Sequence, residues 1–371
     1  MSLELHDISK SFKDDKVLDG VSLSVPEGKT LVLFGPSGAG KTVLLRLIAG
    51  VIEPDAGHVE IAGRNVDGVE PEDRNIGMAF QNFALFPHMD AHANIASPLT
   101  AQKQGKSAIE AGVQSLARLL KIEHVLGHKP KELSNGQKQR TALARALAGK
   151  PKVLLLDDPL RNVDAKLRFE MRLELPRLLS DQNATVVYVT QDYKEAMAFG
   201  DEIAVINGGV IQQIGTPEQI YLSPANVEIA RLFGDPVINF LDVTPQEDRD
   251  GVFAMISDKR VNLDAGHKHA VGQDCVLGIR PESVLFVAED HIRAVPVTVE
   301  AETPLNEKTV NLCLTARGRE IMASRPSGTP GPATGPAFVT IDASHAVLFD
   351  KQSGALIPQD ESAALPKGEV A

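Results

Sequence analysis

The sequence predicts an α/β phosphate-loop nucleotide-binding domain with a helical subdomain, followed by a small all-β domain. Three observations carry that prediction. GPSGAGKT, Gly35 to Thr42, satisfies G-x-x-x-x-G-K-[ST] in full. It lies between the apolar run Thr30–Phe34, which reads as a buried strand, and Thr42–Ala49, which reads as the opening turns of a helix. From about Asp235 the chain changes to short alternating apolar runs separated by turn residues, the pattern of an antiparallel β domain.

The loop is the element with the clearest chemistry. Successive backbone N–H groups and the positive end of a helix face an anion together. Gly38 and Gly40 permit close approach and unusual dihedrals. Pro36, Ser37 and Ala39 complete the turn, Lys41 is placed to reach β- and γ-phosphates, and the Thr42 hydroxyl to ligate Mg²⁺. With 371 residues, two or more domains are the default. No apolar run approaches the roughly 18 residues of a membrane span. Met1–Asp7 lacks the basic-then-apolar order of a secretory leader, so none is expected. Cys275 and Cys313 match no metal or redox spacing, which fits a reducing cytoplasm. A net charge of −11 argues against a broad basic face for nucleic acid or anionic lipid, and leaves docking on a membrane protein open.

In chain order, Leu3–Ile8, Val21–Val25 and Leu31–Phe34 read as strands, with turns at 13–15 and 26–28. Phe12, just ahead of the first turn, is either a core aromatic or a platform for adenine. Gly57–Ile61 and Ile76–Phe80 are further strands, the second ending at Gln81. The stretch 82–89 is unusually apolar for a loop and reads either as core or as a docking surface for a partner helix. His88 and His92 are four apart, but no Glu or Cys nearby completes a metal site, so a structural role is expected. Residues 90–150 read as mostly helical, with runs at Ala108–Leu120 and Lys138–Leu147, the second capped by Ser134. Lys152–Asp157 is a buried strand ending in two carboxylates; Asp157 is placed to hold Mg²⁺ through water and Asp158 to face an attacking water. Thr185–Thr190 is another buried strand, ending at Gln191 and Asp192. Ile203–Ile206, Val210–Ile214 and two short helices follow. The β domain is read in Val252–Ile256, Cys275–Ile279, Val284–Val287, Val295–Val299, Val310–Leu314 and Ala337–Ile341, with an exposed loop at Pro326–Pro336. The expected organisation is 1–234 for the nucleotide-binding domain (helical subdomain about 88–150), 235–358 for the β domain and 359–371 for a disordered tail.

Taken together, these residues resemble the ATPase subunit of an ATP-binding cassette (ABC) importer, over nearly the whole chain. The quoted motifs are the Walker A loop Gly35–Thr42, the Q-loop glutamine Gln81, the signature LSNGQ (Leu133–Gln137), the Walker B strand Leu154–Asp157 and the D-loop region Pro159–Asp164. FQNFALFPHM, PLRNVDAKLR and the run Gly278–Ser283 are similar to the maltose-type branch, which imports sugars, polyols and glycerol phosphates. The last run matches the GIRPE pattern of its C-terminal β-barrel (OB-like, TOBE) regulatory domain. The resemblance implies two subunits sandwiching two ATP molecules with Mg²⁺ head to tail, the Walker motifs of one facing the signature of the other. It implies that Phe12 stacks on adenine and that Thr42, Gln81 and Asp157 serve Mg²⁺. Ser134, Asn135, Gly136 and Gln137 would serve the opposite nucleotide. Two transmembrane permease subunits would dock near Gln81–Met89, a solute-binding protein would deliver cargo, and the subunit would sit on the cytoplasmic face of the inner membrane.

The departures from the family pattern fall on chemistry. Where the family has Glu after the Walker B Asp, this chain has Asp158, one methylene shorter. Where it has the switch His, this chain has Gln191, which can donate a hydrogen bond but carries no charge. Arg161 replaces the D-loop serine, and Asn135 the first signature glycine. A mispositioned general base costs on the order of 10²–10⁴ in rate. Asp158 and Gln191 belong to the composite site built on this chain's own Walker A, so the expectation is the catalytically weak half of a heterodimer with a paralogous ATPase subunit. A homodimeric importer ATPase and an ATP-binding regulatory protein without significant turnover are the alternatives.

Overall fold

The computed structural model describes residues 2–13, 15–256, 258–305 and 307–360. The chain forms two compact units, dividing after Pro217.

Among the described residues, the first unit holds ten strands: β1 (Leu3–Phe12), β2 (Asp15–Val25), β3 (Thr30–Phe34), β4 (Ala56–Ile61), β5 (Arg64–Asn65), β6 (Ile76–Ala79), β7 (Val153–Asp157), β8 (Thr185–Thr190), β9 (Glu202–Asn207) and β10 (Val210–Gly215). One sheet has the order β10-β9-β3-β8-β7-β6, parallel from β9 to β6 with β10 antiparallel at its edge. Its inner strands are continuous apolar runs because both faces are covered. The second sheet, β2-β1-β4-β5, is antiparallel, and its strands alternate between core and solvent. The inward residues Leu3, Leu5, Val59 and Ile61 share one core with Leu31, Leu33, Leu155 and Val187 and with the helix α1 (Lys41–Ile48). The first strand runs past the expected end at Ile8 to Phe12. Asp7 stands at φ 49 where the pairing of β1 with both neighbours shifts register. That bulge breaks the period-2 alternation that locates a strand in sequence.

The expected helical region contains α2 (Ala91–Ala101), α3 (Lys106–Leu119) and α4 (Asn135–Ala148). Asp90 caps α2 by accepting Ala93 N–H at 2.7 Å. Ser134 caps α4 in a reciprocal box with Gln137: Ser134 Oγ accepts Gln137 N–H and Gln137 Oε1 accepts Ser134 N–H. The cap expected at Ser134 is therefore present. Two further helices, α5 (Ala165–Asp181) and α6 (Tyr193–Phe199), start at the caps Asp164 and Asp192.

The second unit begins one residue into the short helix Pro217–Leu222, continues with Val227–Leu232 and, among the described residues, forms three antiparallel sheets around a main apolar core, with a smaller cluster of Ala230, Ile238, Val347 and Phe349 beside it. All six strands read from sequence are present. Asn239–Val243, Gln246–Asp248, Lys259–Asn262, Glu320–Pro326, Val347–Asp350 and Leu356–Ile357 are additional. Gln246–Asp248 and Leu356–Ile357 escape sequence reading because they are too short to show an alternation. Gly278 lets two strands and a side-chain layer close on each other: a Cβ there would meet Val347 Cγ2 at 2.8 Å and Ile238 Cδ1 at 3.0 Å. Arg280, 5% exposed, donates to the carbonyls of Tyr221, Ala230 and Phe233 and lies 3.9 Å from the Tyr221 ring centroid. It therefore holds both short helices against the β domain. Cys275 and Cys313 are buried free thiols, and burial raises the Cys313 pKa to about 11. Of the expected tail, Gln359 and Asp360 are described, with Asp360 N–H donating to Gly266 O at 3.0 Å. Residues 361–371 lie outside the described residues.

Candidate functional site

Parallel strands deliver their C-terminal ends to one edge of a sheet. Here β3, β7 and β8 are adjacent, so Gly35, Asp157 with Asp158, and Gln191 meet there. The loop Gly35–Thr42 leaves β3 and enters α1. Gly35 is required by close approach, because a Cβ would come within 2.1 Å of Ile206 O. Gly40, with φ 98, makes the left-handed turn into the helix. Lys41 is 6% exposed, and its Nζ donates to Gly35 O (2.7 Å) and Pro36 O (2.6 Å). Burial lowers its pKa, opposed by the charges of Asp158 and Asp157. Thr42 Oγ1 donates to Asp157 Oδ1 at 3.2 Å.

A cavity of about 160 Å³ opens beside this loop. Its lining brings together Ser37, Gly38, Gly40, Lys41, Thr42, Gln81, Asp157, Asp158 and Gln191, with Val17, Val43, Val189 and Thr190. Asp157 is 3% exposed, and burial raises its pKa. Asp158 follows β7 in a left-handed conformation (φ 51), which Asp tolerates better than most residues, and its N–H donates to Val189 O at 3.0 Å. Burial raises its pKa too, opposed first by Arg161, whose guanidinium is 3.9 Å from the carboxylate. Asp158 O accepts Gln139 Nε2 at 2.6 Å, and Gln139 Oε1 accepts Asn162 N–H at 2.8 Å. Gln139 thus ties the signature helix to the segment after β7.

Gln191 is exposed at the rim of the cavity. The turn bearing it rests on buried bonds. Glu195, 2% exposed, accepts Tyr188 OH (2.8 Å) and Thr190 Oγ1 (2.9 Å) on one oxygen, and Thr190 Oγ1 accepts Asp192 N–H at 3.0 Å. Asp192 caps α6 and pairs with Arg172 at 2.8 Å. Gln139 and Glu195 are missed in sequence reading. Gln139 lies two residues past the signature in a helical run, and Glu195 on a helix beyond the edge, with no spacing that marks either.

Of the loop itself, Gly35, Pro36 and Ala39 lie outside this lining, and so do Phe12 and the signature residues Ser134–Gln137. Phe12 stands 47% exposed at the end of β1, with Lys10 Nζ 5.8 Å from its ring centroid. Ser134 and Asn135 are exposed at the start of α4, beside Gly136 and Gln137. Gly136 allows another chain segment close by: a Cβ would come within 2.8 Å of Asn162 O.

The apolar stretch after Gln81 is held as a defined loop with an exposed tip. Phe86 is 42% exposed, and Pro87 and His88 are exposed beside it. Buried Asn94 accepts Phe86 N–H and donates to the carbonyls of Phe86, Met89 and Asp90. Arg145 of α4 donates to Ala84 O (2.8 Å) and Phe83 O (3.3 Å), and its guanidinium lies 5.3 Å from the Phe86 ring centroid. His88 precedes α2, so it does not share a helix face with His92, which pairs with Glu110 at 2.9 Å.

A parallel sheet, a phosphate loop entering a helix and paired carboxylates at the end of β7, one strand removed from β3, define a P-loop ATPase. The helical region with a capped signature turn narrows it to the cassette kind. Residues 18–161 match the ABC transporter family and residues 234–284 match the MalK OB fold domain. The trehalose/maltose import ATP-binding protein MalK of Thermococcus litoralis is 42% identical, over 80% of this chain and 85% of its own. The sn-glycerol-3-phosphate import ATP-binding protein UgpC of Cereibacter sphaeroides is 38% identical, over 95% and 98%. A solved dimer of the ATP-binding cassette MJ0796 bound to ADP and Pi covers 58% of this chain and 98% of its own, at 29% identity and a TM-score of 0.55. The chain belongs to the ABC transporter ATP-binding proteins, with a C-terminal OB-type domain, and is an ATPase that uses ATP with Mg²⁺. The donor set fits those ligands: a buried lysine and loop N–H groups suit phosphate, and a hydroxyl beside a carboxylate suits Mg²⁺.

Proposed function

We propose that the chain energises an importer for a sugar, polyol, glycerol or glycerol-phosphate type solute, on the cytoplasmic face of the inner membrane. The names of the relatives, trehalose/maltose and sn-glycerol-3-phosphate import ATP-binding proteins, support the solute class. The rigid apolar tip at Phe86–His88 supports docking of two transmembrane permease subunits near Gln81–Met89, with a solute-binding protein acting on the permease.

In this reading the loop Gly35–Thr42 holds the phosphates, Lys41 neutralises the β- and γ-phosphate charge, and Thr42, Asp157 and Gln81 serve Mg²⁺. Phe12 offers its exposed face to adenine. Bound Mg²⁺–ATP supplies the phosphoryl group for transfer to water. Asp158 is the residue that would accept the water's proton, and Gln191 the one that would donate to the γ-phosphate.

The chain is further proposed to be the slow half of a head-to-tail pair with a paralogous ATPase subunit. One observation carries this: Asp158 and Gln191 line the same cavity, whereas Ser134–Gln137 lies outside it with an exposed cap. Both substitutions therefore burden the chain's own site, and the signature remains available to the partner's nucleotide. Arg161 beside Asp158 adds to the handicap, since a neighbouring cation weakens a carboxylate as a base. The test is purification. A chain that alone forms a homodimer with turnover of roughly 1 s⁻¹ or above defeats the heterodimer reading. Co-purification with a paralogue and permease subunits supports it, and ATP binding with no permease partner favours a regulatory protein instead.

A further inference from the structure

The outward face of the antiparallel sheet carries a cluster that the ATPase chemistry does not use. In the register of β1 with β4, Glu4 stands opposite Glu60 and His6 opposite His58. Their neighbours Leu3, Leu5, Val59 and Ile61 point into the core, so these four side chains share the other face. The two imidazoles stack with centroids 4.6 Å apart and planes 18° from parallel. His58 Nε2 is 3.1 Å from Glu60 Oε1, and His6 Nε2 is 3.5 Å from Glu4 Oε2. Gly57 brings the strands together here: a Cβ would lie 2.2 Å from His6 O. Donor atoms of His6, His58 and Glu60 all fall within 4.8 Å of one another, the one such group among the described residues. None of the four residues lines the phosphate-loop cavity.

We propose that His6, His58 and Glu60, with Glu4 as a fourth donor, bind a divalent transition cation of the Zn²⁺ class. Tetrahedral Zn²⁺ with bonds of about 2.0–2.2 Å sets its ligand atoms roughly 3.4 Å apart. Both same-strand pairs are already near that spacing, and only the stacked rings must turn to share one centre. Cross-strand like charges repel, and a cation between Glu4 and Glu60 converts that repulsion into attraction. Imidazole with carboxylate favours Zn²⁺ over Mg²⁺, which prefers oxygen ligands and keeps its water. Side-chain exposures of 30–43% leave the site open to solvent and the rotamers free to adjust. A bound ion would clip β1 to β4.

The experiment is calorimetric titration of the full, tag-free chain with ZnCl₂, without nucleotide, alongside thermal unfolding. Expected are one Zn²⁺ per chain, a micromolar dissociation constant and a raised unfolding temperature, because a ligand of the folded state stabilises it. His58→Ala and His6→Ala should each weaken binding about 100-fold and Glu60→Gln about 10-fold, on the scale of lost ligand or orienting groups. Each variant should still bind Mg²⁺–ATP like the parent, which shows that it is folded. No binding up to about 1 mM Zn²⁺, a free energy of only about −4 kcal/mol, overturns the proposal. So does Zn²⁺ binding that survives in both histidine variants.

Discussion

Replacing Glu195 with Ala should loosen the turn that carries Gln191. In the parent, one Glu195 carboxylate oxygen accepts two hydroxyls, Tyr188 OH at 2.8 Å and Thr190 Oγ1 at 2.9 Å, and both residues are essentially buried. Alanine removes the acceptor and leaves both donors without it. A buried polar group left unsatisfied costs about 1–3 kcal/mol, so the pair sets a loss of about 2–6 kcal/mol. Native-state hydrogen exchange at the amides of β8 and α6 reads that loss locally, which suits a chain of two compact units. Glu195→Gln keeps an acceptor oxygen and the volume, and should lose about 1 kcal/mol or less. The pair of variants also carries a pH signature. Burial raises the Glu195 pKa, so the folded state holds its proton to higher pH than the unfolded chain. Its contribution to stability is full below the ordinary carboxylate range. It is lost as pH rises through the raised folded value. Glu195→Gln should flatten the curve in that window. An alanine variant whose β8 and α6 amides exchange within about 0.5 kcal/mol of the parent, the scale of ordinary surface substitutions, would refute the reasoning.

Two further outcomes follow from the hydrogen bonds described above. Asn94→Ala removes four bonds to residues 86–90. It should cut permease-stimulated ATP turnover about tenfold, the equivalent of about 1.4 kcal/mol, while nucleotide binding by the isolated chain, measured by calorimetry, stays at the parent value. Arg280→Ala strips the donor from the carbonyls of Tyr221, Ala230 and Phe233. It should destabilise the second unit by about 3 kcal/mol or more, seen in calorimetry as a lowered unfolding transition, and Arg280→Lys should recover only part of it because lysine lacks the planar fork.

The cassette was legible where burial is two-sided or a motif has a fixed backbone task. β3, β7 and β8 are continuous apolar runs because the sheet is covered on both faces. The glycines of the loop are demanded by φ 98 at Gly40 and the 2.1 Å approach at Gly35. The helix start at Ser134 was legible because a cap is a local hydrogen bond. Residues whose role depends on a distant partner were not. Gln139 matters because the segment after β7 passes beside α4, and Glu195 because α6 folds back under β8. The His6–His58 pair exists only through strand register, which a bulge at Asp7 conceals. Phe12 was readable as a core aromatic or as a platform for adenine, and the fold leaves it exposed beside Lys10, outside the lining of the phosphate-loop cavity. Several additional strands of the second unit are short, such as Leu356–Ile357, and some are largely polar, as Gln246–Asp248 is. Their pairing comes from neighbours, not from a pattern of their own.

The most direct measurement is steady-state ATP turnover of the purified chain beside Asp158→Glu/Gln191→His. In the proposed reading, the phosphate loop, Asp157 and the signature helix form an intact scaffold, and Asp158 and Gln191, which line one cavity, are what slow it. Restoring the longer carboxylate and the imidazole should raise turnover by about 10²-fold or more, the scale of a repositioned general base. A parent chain that already turns over at roughly 1 s⁻¹ or above, unchanged in the double variant, would contradict it.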